Sequence, residues 1–217
     1  LSSQRMSLHA GVALAGKNSQ KCSSHCQIHP INNTDHLLMD FSISSSPVLL
    51  RPLEPEDLEL LYTIENDATL WDVCDDTTPY SRYALRQYIA NQPQDLHQCR
   101  ELRLIIVERQ TAAPIGIVDL VNYSPKNQRA EISIALLRHK RGKGYGEKAI
   151  FLLEEYAQRF YGIRMLYALV SSRNNALANS MFKSLGYECI ACLPQWHKRG
   201  DDFEDIDVFQ KILEKRR

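Results

Sequence analysis

A short glycine-rich and basic stretch, residues 141–146 with the sequence RGKGYG, is the part of the chain best suited to chemistry. Three of the nine glycines fall within five positions here, and a helical pattern follows directly. The start of a helix presents backbone N–H groups without helical partners, at the positive end of the helix dipole. Glycines allow a sharp turn there and place no Cβ between the amides and a ligand. The stretch therefore predicts an anion site, with pyrophosphate as the expected ligand.

The residues around these glycines limit which phosphate ligand fits. Arg141 and Lys143 add cationic donors to the site. A Walker loop requires lysine followed by serine or threonine, but Gly144 follows Lys143. The glycines also lack the spacing of a dinucleotide-binding fingerprint. A plain tight turn before a helix remains the structural alternative.

The overall composition favours one globular domain. The chain has 217 residues, 44% of them hydrophobic, with 26 basic and 26 acidic side chains. This length permits a single domain with a real core. Zero net charge argues against a nucleic-acid binder, and no apolar run approaches the roughly 18 residues that cross a bilayer. Six cysteines without a dense disulfide spacing predict a reduced, cytoplasmic protein.

Residues 1–46 differ from the rest of the chain, because they are rich in Ser, Asn, His and Gln and show no sustained period. We expect a disordered N-terminal extension, followed by one domain over residues 47–217. A signal peptide is disfavoured, since the apolar stretch in MSLHAGVALAG is short and contains His9. Cys22, His25, Cys26 and His29 lack the second ligand pair of a zinc finger, so no metal is expected.

From residue 48 the apolar pattern predicts the order strand, helix, helix, three strands, helix, strand, helix, two strands. The last two strands are expected to meet at a turn with the sequence HKRGDD. An antiparallel meander in the middle of this order indicates the α/β (α+β) class. We expect a single mixed, mostly antiparallel, twisted sheet of six or seven strands with helices on both faces. The helix after the glycines carries an apolar stripe at Ile150, Leu153, Tyr156, Ala157 and Phe160.

Several motifs in this order resemble the GNAT N-acetyltransferases. RGKGYG fits the acetyl-CoA loop of that family, as Arg141-x-x-Gly144-x-Gly146. AEISIAL resembles the strand before that loop, and NNALANSMFKSLGY resembles a later conserved segment of the family. The resemblance covers residues 48–213. Within the family, IVDLVNYSPKNQRAEISI is most similar to the spermidine and the ribosomal-protein N-terminal acetyltransferases.

The resemblance implies which residues bind acetyl-CoA as co-substrate. The pyrophosphate is expected on the loop formed by Arg141, Gly142, Lys143, Gly144, Tyr145 and Gly146. The pantetheine arm is expected to pair with the strand backbone at Ile134, Ala135 and Leu136, like a short extra strand. Asn175 corresponds to an asparagine that helps hold this arm. The alternative role of Asn175, a helix N-cap, is compatible with that assignment.

The resemblance also implies the chemistry at the reacting atoms. Most amines are protonated at neutral pH, so a base must remove a proton directly or through water. Glu131 corresponds to the glutamate that serves as base in some family members, with a structural carboxylate as the alternative. Phe182 replaces the family tyrosine that protonates the leaving thiolate. Water, Tyr145 or Tyr187 are the possible substitutes, and a cysteine nucleophile is disfavoured because no histidine partner is recognisable.

The acceptor is the least determined part of the prediction. Trp71, Asp72, Asp75 and Asp76 lie in a segment that forms part of the acceptor pocket in the resembled enzymes. Their carboxylates would attract a cationic amine, with a solvated surface loop as the alternative. We expect direct acetyl transfer in a ternary complex to a polyamine-like amine or to a protein N-terminus. A non-catalytic acyl-CoA-binding module is the rival, and the last strand is expected to pair subunits in a homodimer or higher homo-oligomer.

Overall fold

The computed structural model describes residues 46–71, 79–92, 96–173 and 175–213, apart from the side chain of Trp71. Residues 1–45 of the predicted N-terminal extension, with its Cys and His cluster, lie outside these residues. Asp72, Asp75 and Asp76 of the predicted acidic segment also lie outside them. The domain boundary and the acceptor segment therefore stay predictions.

Seven strands form one sheet, as the sequence predicts. They are β1 (Val48–Pro52), β2 (Leu102–Glu108), β3 (Pro114–Ser124), β4 (Arg129–Leu136), β5 (Met165–Ser171), β6 (Glu188–Arg199) and β7 (Asp202–Ile212). Their order across the sheet is β1-β2-β3-β4-β5-β7-β6. Every neighbouring pair is antiparallel except β4 with β5. The predicted fold class is confirmed.

The helices of the described residues lie on both sides of this sheet. They are α1 (Leu58–Glu65), α2 (Ala68–Trp71), α3 (Arg82–Asn91), α4 (Leu96–Cys99), α5 (Tyr145–Tyr161) and α6 (Ala176–Ser184). Two 3₁₀ turns, Pro55–Asp57 and Arg138–Lys140, precede α1 and the glycine loop. None of the helices in the described part of the chain is both long and apolar enough to cross a membrane.

Alternating side chains of the strands supply two separate cores, because successive residues of a strand point to opposite faces. On one face, here the α5 face, Leu104 and Val118 join the apolar residues of α5 and α6 in one cluster. On the other, the α1–α3 face, Ile105 and Ile117 join those of α1 and α3 in a second cluster. The sheet therefore separates two environments, and the residues of β4 contribute to both.

Two predicted details of these elements are wrong. Ile150, Leu153 and Ala157 of the predicted α5 stripe are fully buried, but Phe160 is 56% exposed because it lies in the last turn, beyond the sheet. The turn between the last two strands is also shorter than HKRGDD, since β6 runs to Arg199 and β7 begins at Asp202.

Candidate active site

The neighbouring strands β4 and β5 separate partway along their length. Their parallel pairing covers only Arg129 with Met165, Ala130 with Leu166 and Glu131 with Tyr167. Beyond Glu131, β4 continues beside β3 alone and β5 continues beside β7 alone. In the described residues, no strand therefore pairs with the β5-facing edge of β4 over residues 132–136. This gap, here called the splay, contains the predicted Ile134, Ala135 and Leu136.

The glycine loop closes the open end of the splay. Gly144 is the N-cap of α5 with φ of 81°, and Gly142 has φ of 71°. A Cβ on either glycine would meet no atom within 4 Å, so the positive φ angles, not crowding, require glycine here. Lys148 donates the first helical bond to the Gly144 carbonyl, and no side chain caps the helix. The amides of the first turn are therefore available to an anion.

The first turn of α5 also packs closely against its neighbours. A Cβ on Gly146 would lie 3.0 Å from the Met181 sulfur and 3.7 Å from side-chain carbons of both Ile134 and Leu136. Gly146 therefore lets α5 approach α6 and β4 at the end of the splay. The predicted loop and the predicted strand residues therefore lie side by side.

The guanidinium of Arg141 makes two hydrogen bonds within the protein. Its Nε donates to the Leu136 carbonyl at 2.8 Å, and its Nη2 donates to Asp67 Oδ2 at 2.9 Å. Burial works against the charge of Asp67, but hydrogen bonds from Thr69 and Arg141 hold the pKa of this carboxyl below its usual value. The Arg141 guanidinium therefore fastens the loop to β4 and to the link after α1. The exposed Lys143 is the side chain of the loop that remains in solvent.

Glu108, which the sequence analysis missed, anchors the loop from both sides. Its carboxylate accepts hydrogen bonds from Lys140 Nζ at 2.9 Å and from the Tyr145 hydroxyl at 2.5 Å. Thr111 Oγ1 donates a further bond at 2.6 Å. The bonds from Thr111, Tyr145 and Lys140 lower the pKa of Glu108 to about 2. No sequence signal connects this residue to a loop more than thirty positions away.

Replacing Glu108 with Gln is expected to weaken CoA binding about tenfold, the effect of losing a charge-assisted anchor. The change should raise the dissociation constant in calorimetry while kcat at saturation stays close to wild type. The wild type should also melt at a higher temperature than the variant at pH 7. This difference should shrink as the pH falls from about 4.3, where the unfolded carboxyl titrates, towards about 2.

The matched control for this change is Glu56→Gln, because Glu56 is exposed and lies before α1. It should alter neither the CoA affinity nor the melting temperature. Equal CoA affinity in wild type and Glu108→Gln would show that the loop does not depend on this anchor.

Glu131 lies at the closed end of the splay and is only 4% exposed. Asn122 Nδ2 donates to its Oε2 at 2.9 Å. Asn122 has φ of 53° at an irregularity where the β3–β4 register shifts, which turns its side chain towards the carboxylate. Burial, the Glu131 charge and hydrogen bonding to Glu131 raise the pKa of Tyr167 to about 12. Asn122 and Tyr167 thus flank the predicted base, and no sequence pattern pointed to either.

A buried ionic cluster lies on the same α1–α3 face as Glu131. Arg103 donates to both oxygens of Asp119 at 2.9 and 2.7 Å and to Glu65 Oε1 at 2.9 Å. All three residues are at most 6% exposed. Asp119 is two positions along β3 from Val121, the register partner of Glu131. The cluster therefore lies close to the closed end of the splay.

Phe182 cannot supply a proton, and its surroundings confirm that it belongs to the core. It is 3% exposed and stacks on Phe209 with ring centroids 5.9 Å apart. Of the two suggested substitutes, Tyr145 donates its hydroxyl proton to Glu108. The Tyr187 ring lies against that of Phe182, with ring centroids 5.1 Å apart, and its buried hydroxyl makes no hydrogen bond within the described residues. Burial and the nearby Glu154 raise the pKa of Tyr187.

The remaining predicted residues are placed as follows. Asn175 is the N-cap of α6, and its side chain accepts from the Ala178 amide at 3.2 Å. This confirms the capping role, and contact with pantetheine stays a prediction. Trp71 ends α2. Across the described ranges, no group of three or more His, Cys, Asp or Glu side chains is placed to hold a metal ion.

Comparison with known protein families assigns the chain to a class of enzymes. The family model described as acetyltransferase (GNAT) domain matches residues 48–188. The chain belongs to the GNAT acetyltransferases, enzymes that transfer an acetyl group from acetyl-CoA to an amine. This confirms the predicted family and activity.

Within this family, the chain is similar to individual spermidine N-acetyltransferases. The spermidine N(1)-acetyltransferase of Escherichia coli K12 is 26% identical over 144 residues, which cover 66% of this chain and 74% of that protein. The spermidine N-acetyltransferase of Vibrio cholerae, solved with CoA and spermine, aligns with a TM-score of 0.67 at 22% identity, over 77% of this chain and 96% of that one. A dodecameric structure of the Vibrio cholerae enzyme aligns with a TM-score of 0.64 at 22% identity, over 77% and 94% of the two chains.

Proposed function

We propose that this acetyltransferase acts on a primary amine of a polyamine-like small molecule, by direct transfer from acetyl-CoA in a ternary complex. The observation that carries the proposal is the excess of buried carboxylates on the α1–α3 face beside the splay. Similarity to two spermidine N-acetyltransferases supports the same class of acceptor.

The dimensions of the splay support acetyl-CoA as the donor. The part of β4 that no longer pairs with β5 runs from Ile132 to Leu136. It has four residue steps, which span about 13 Å at ~3.3 Å per step. A pantetheine arm has about 12 bonds between its phosphate oxygen and its sulfur, the number in the backbone of four residues. With the pyrophosphate on the amides of residues 141–146, the sulfur of an extended arm reaches the closed end of the splay, beside Glu131.

The charge of the α1–α3 face supports a cationic acceptor. Three carboxyl groups, those of Glu65, Asp119 and Glu131, are buried on this face, and the guanidinium of Arg103 pairs with the first two. A buried charge is more favourable when a partner of opposite sign is close, so this face favours a protonated amine. We propose that Trp71, Asp72, Asp75 and Asp76 contribute to binding of the polyamine acceptor.

We propose that Glu131 acts as the general base in this reaction. Asn122 holds its carboxylate at the closed end of the splay, which supports this role. It accepts a proton from the incoming ammonium and releases it to solvent, so that the neutral amine attacks the thioester carbonyl. Direct attack needs no covalent enzyme intermediate, in agreement with the absence of a nucleophile motif in the sequence.

The test is release of CoA thiol from acetyl-CoA in the presence of spermidine, spermine, small monoamines, amino acids and peptides with basic N-termini. Polyamines should give the highest kcat/KM, and adding salt should lower it, because charge attraction weakens with ionic strength. Faster acetylation of peptides would favour a protein N-terminal acetyltransferase instead. Thiol release from no amine, with CoA binding intact, would contradict catalysis and favour the acyl-CoA-binding module.

The sequence analysis predicted that the last strand, β7, pairs subunits, and the structure contradicts this prediction for backbone pairing. Both edges of β7 are already paired, with β5 and with β6, so its backbone cannot bind another subunit. The free sheet edge on that side is β6, which exposes Ile190 and Trp196. We propose that this edge contributes to a homo-oligomer, as the dodecameric relative suggests, and sedimentation of the purified protein measures its size. A cytoplasmic location remains a prediction.

A further inference from the structure

One step of the transfer has no assigned residue. When the C–S bond of the thioester breaks, the sulfur keeps the electron pair and must gain a proton. Phe182 has no proton to give, and the hydroxyls of Tyr145 and Tyr187 lie beside Glu108 and Glu154. If a side chain and not water supplies this proton, it comes from another position near the sulfur.

Tyr167 occupies the closed end of the splay. It is the register partner of Glu131 in the last parallel pair before β4 and β5 separate. Because aligned residues of neighbouring strands point to the same face, Tyr167 and Glu131 lie side by side on the α1–α3 face. The Tyr167 hydroxyl has hydrogen-bonding neighbours in the Glu131 carboxylate and the Asn122 amide. Asn122 bonds Glu131 in turn, at 2.9 Å.

The same position lies where the donor sulfur must be. An extended pantetheine arm bound along residues 132–136 ends one residue from the Glu131–Tyr167 pair, by the length comparison above. The sulfur and the phenol therefore meet at the closed end of the splay, while the amine approaches from the acidic α1–α3 face.

We propose that Tyr167 is the general acid of this enzyme and protonates the departing CoA thiolate. The inference rests on the proposed acetyl transfer and adds the missing proton donor to it. As the C–N bond forms, Glu131 takes the second proton that the nitrogen must lose. As the tetrahedral adduct collapses, the C–S pair goes to sulfur and the Tyr167 hydroxyl proton follows it. Glu131 then returns its proton to the Tyr167 oxygen, so both residues end in their starting state.

The acid–base properties of the pair agree with this cycle. Burial and the Glu131 carboxylate raise the pKa of Tyr167 to about 12, so the phenol carries its proton at every physiological pH. After Tyr167 has given up its proton, the neighbouring protonated Glu131 can return one directly to the Tyr167 phenolate, without a solvent molecule. The two groups thus fit opposite roles, base and acid, in one reaction.

The experiment compares two acetyl donors in the wild type and in Tyr167→Phe. One donor is acetyl-CoA; in the other, acetyl-seleno-CoA, selenium replaces the sulfur and leaves as a stable selenolate that needs no proton. Tyr167→Phe should lower kcat with acetyl-CoA about 100-fold while KM and CoA affinity stay unchanged. With the selenium donor, the variant should come within about threefold of wild type, since general acid assistance is no longer needed.

Tyr156→Phe is the matched control, because it also removes a tyrosine hydroxyl, one that lies 3.4 Å from the Tyr161 hydroxyl in the second half of α5. It should leave kcat unchanged with both donors. An equal loss with both donors in Tyr167→Phe would overturn the assignment and leave only a structural role, and unchanged kcat with acetyl-CoA would also overturn it. A wild-type enzyme that acetylates no amine would instead contradict the proposed function.

Discussion

Replacing Glu131 with Gln is expected to lower kcat at neutral pH by about 100-fold or more, the usual contribution of a general base. Gln keeps the shape of the side chain and an oxygen that accepts the bond from Asn122, so the fold should persist. The loss should become smaller at alkaline pH, because there the free amine forms without a base. The measurement is kcat against pH for spermidine and acetyl-CoA, in wild type and variant.

Glu56→Gln is again the matched control, with the same chemical change at an exposed position outside the splay. Its pH profile should follow that of the wild type. A full neutral-pH rate in Glu131→Gln would show that Glu131 is only a buried structural carboxylate. A loss that stays constant up to alkaline pH would likewise exclude it as the base for amine deprotonation.

Replacing Arg103 with Met is expected to have the largest effect on stability. The change leaves the carboxylates of Glu65 and Asp119 buried without their cation, at 4% and 2% exposure. Removing one member of such a buried ionic group costs about 3–5 kcal/mol of unfolding free energy. The measurement is urea unfolding at pH 7.

Two further variants isolate the cause of this destabilisation. Arg82→Met removes an arginine from an exposed pair with Glu59 and should have little effect on unfolding. Combining Arg103→Met with Glu65→Gln and Asp119→Asn should recover most of the lost free energy, because no uncompensated charge is left inside. If Arg103→Met unfolds at the same urea concentration as Arg82→Met, the cluster does not hold this face together.

Local sequence patterns determined the elements of this protein. The order of the seven strands and of the longer helices α1, α3, α5 and α6 was predictable because each apolar repeat depends only on residues a few positions apart. The four-residue helices α2 and α4 were not predicted. The glycine loop was predictable for the same reason, since the positive φ angles of Gly142 and Gly144 are a local need of the turn into α5. The proposal that Glu131 is the base came from a motif on its own strand, and its role stays a prediction.

The neighbours of these residues were decided by the tertiary structure alone. Pairing of β4 with β5 stops after Glu131, and that stop places Tyr167, 36 positions later in the chain, beside Glu131. The register shift in β3 turns Asn122 to the same carboxylate, and β2 brings Glu108 to the loop and Arg103 to Asp119. Such contacts depend on strand register and on where strands separate. These are properties of the whole packed sheet, and the order of residues along one strand does not contain them.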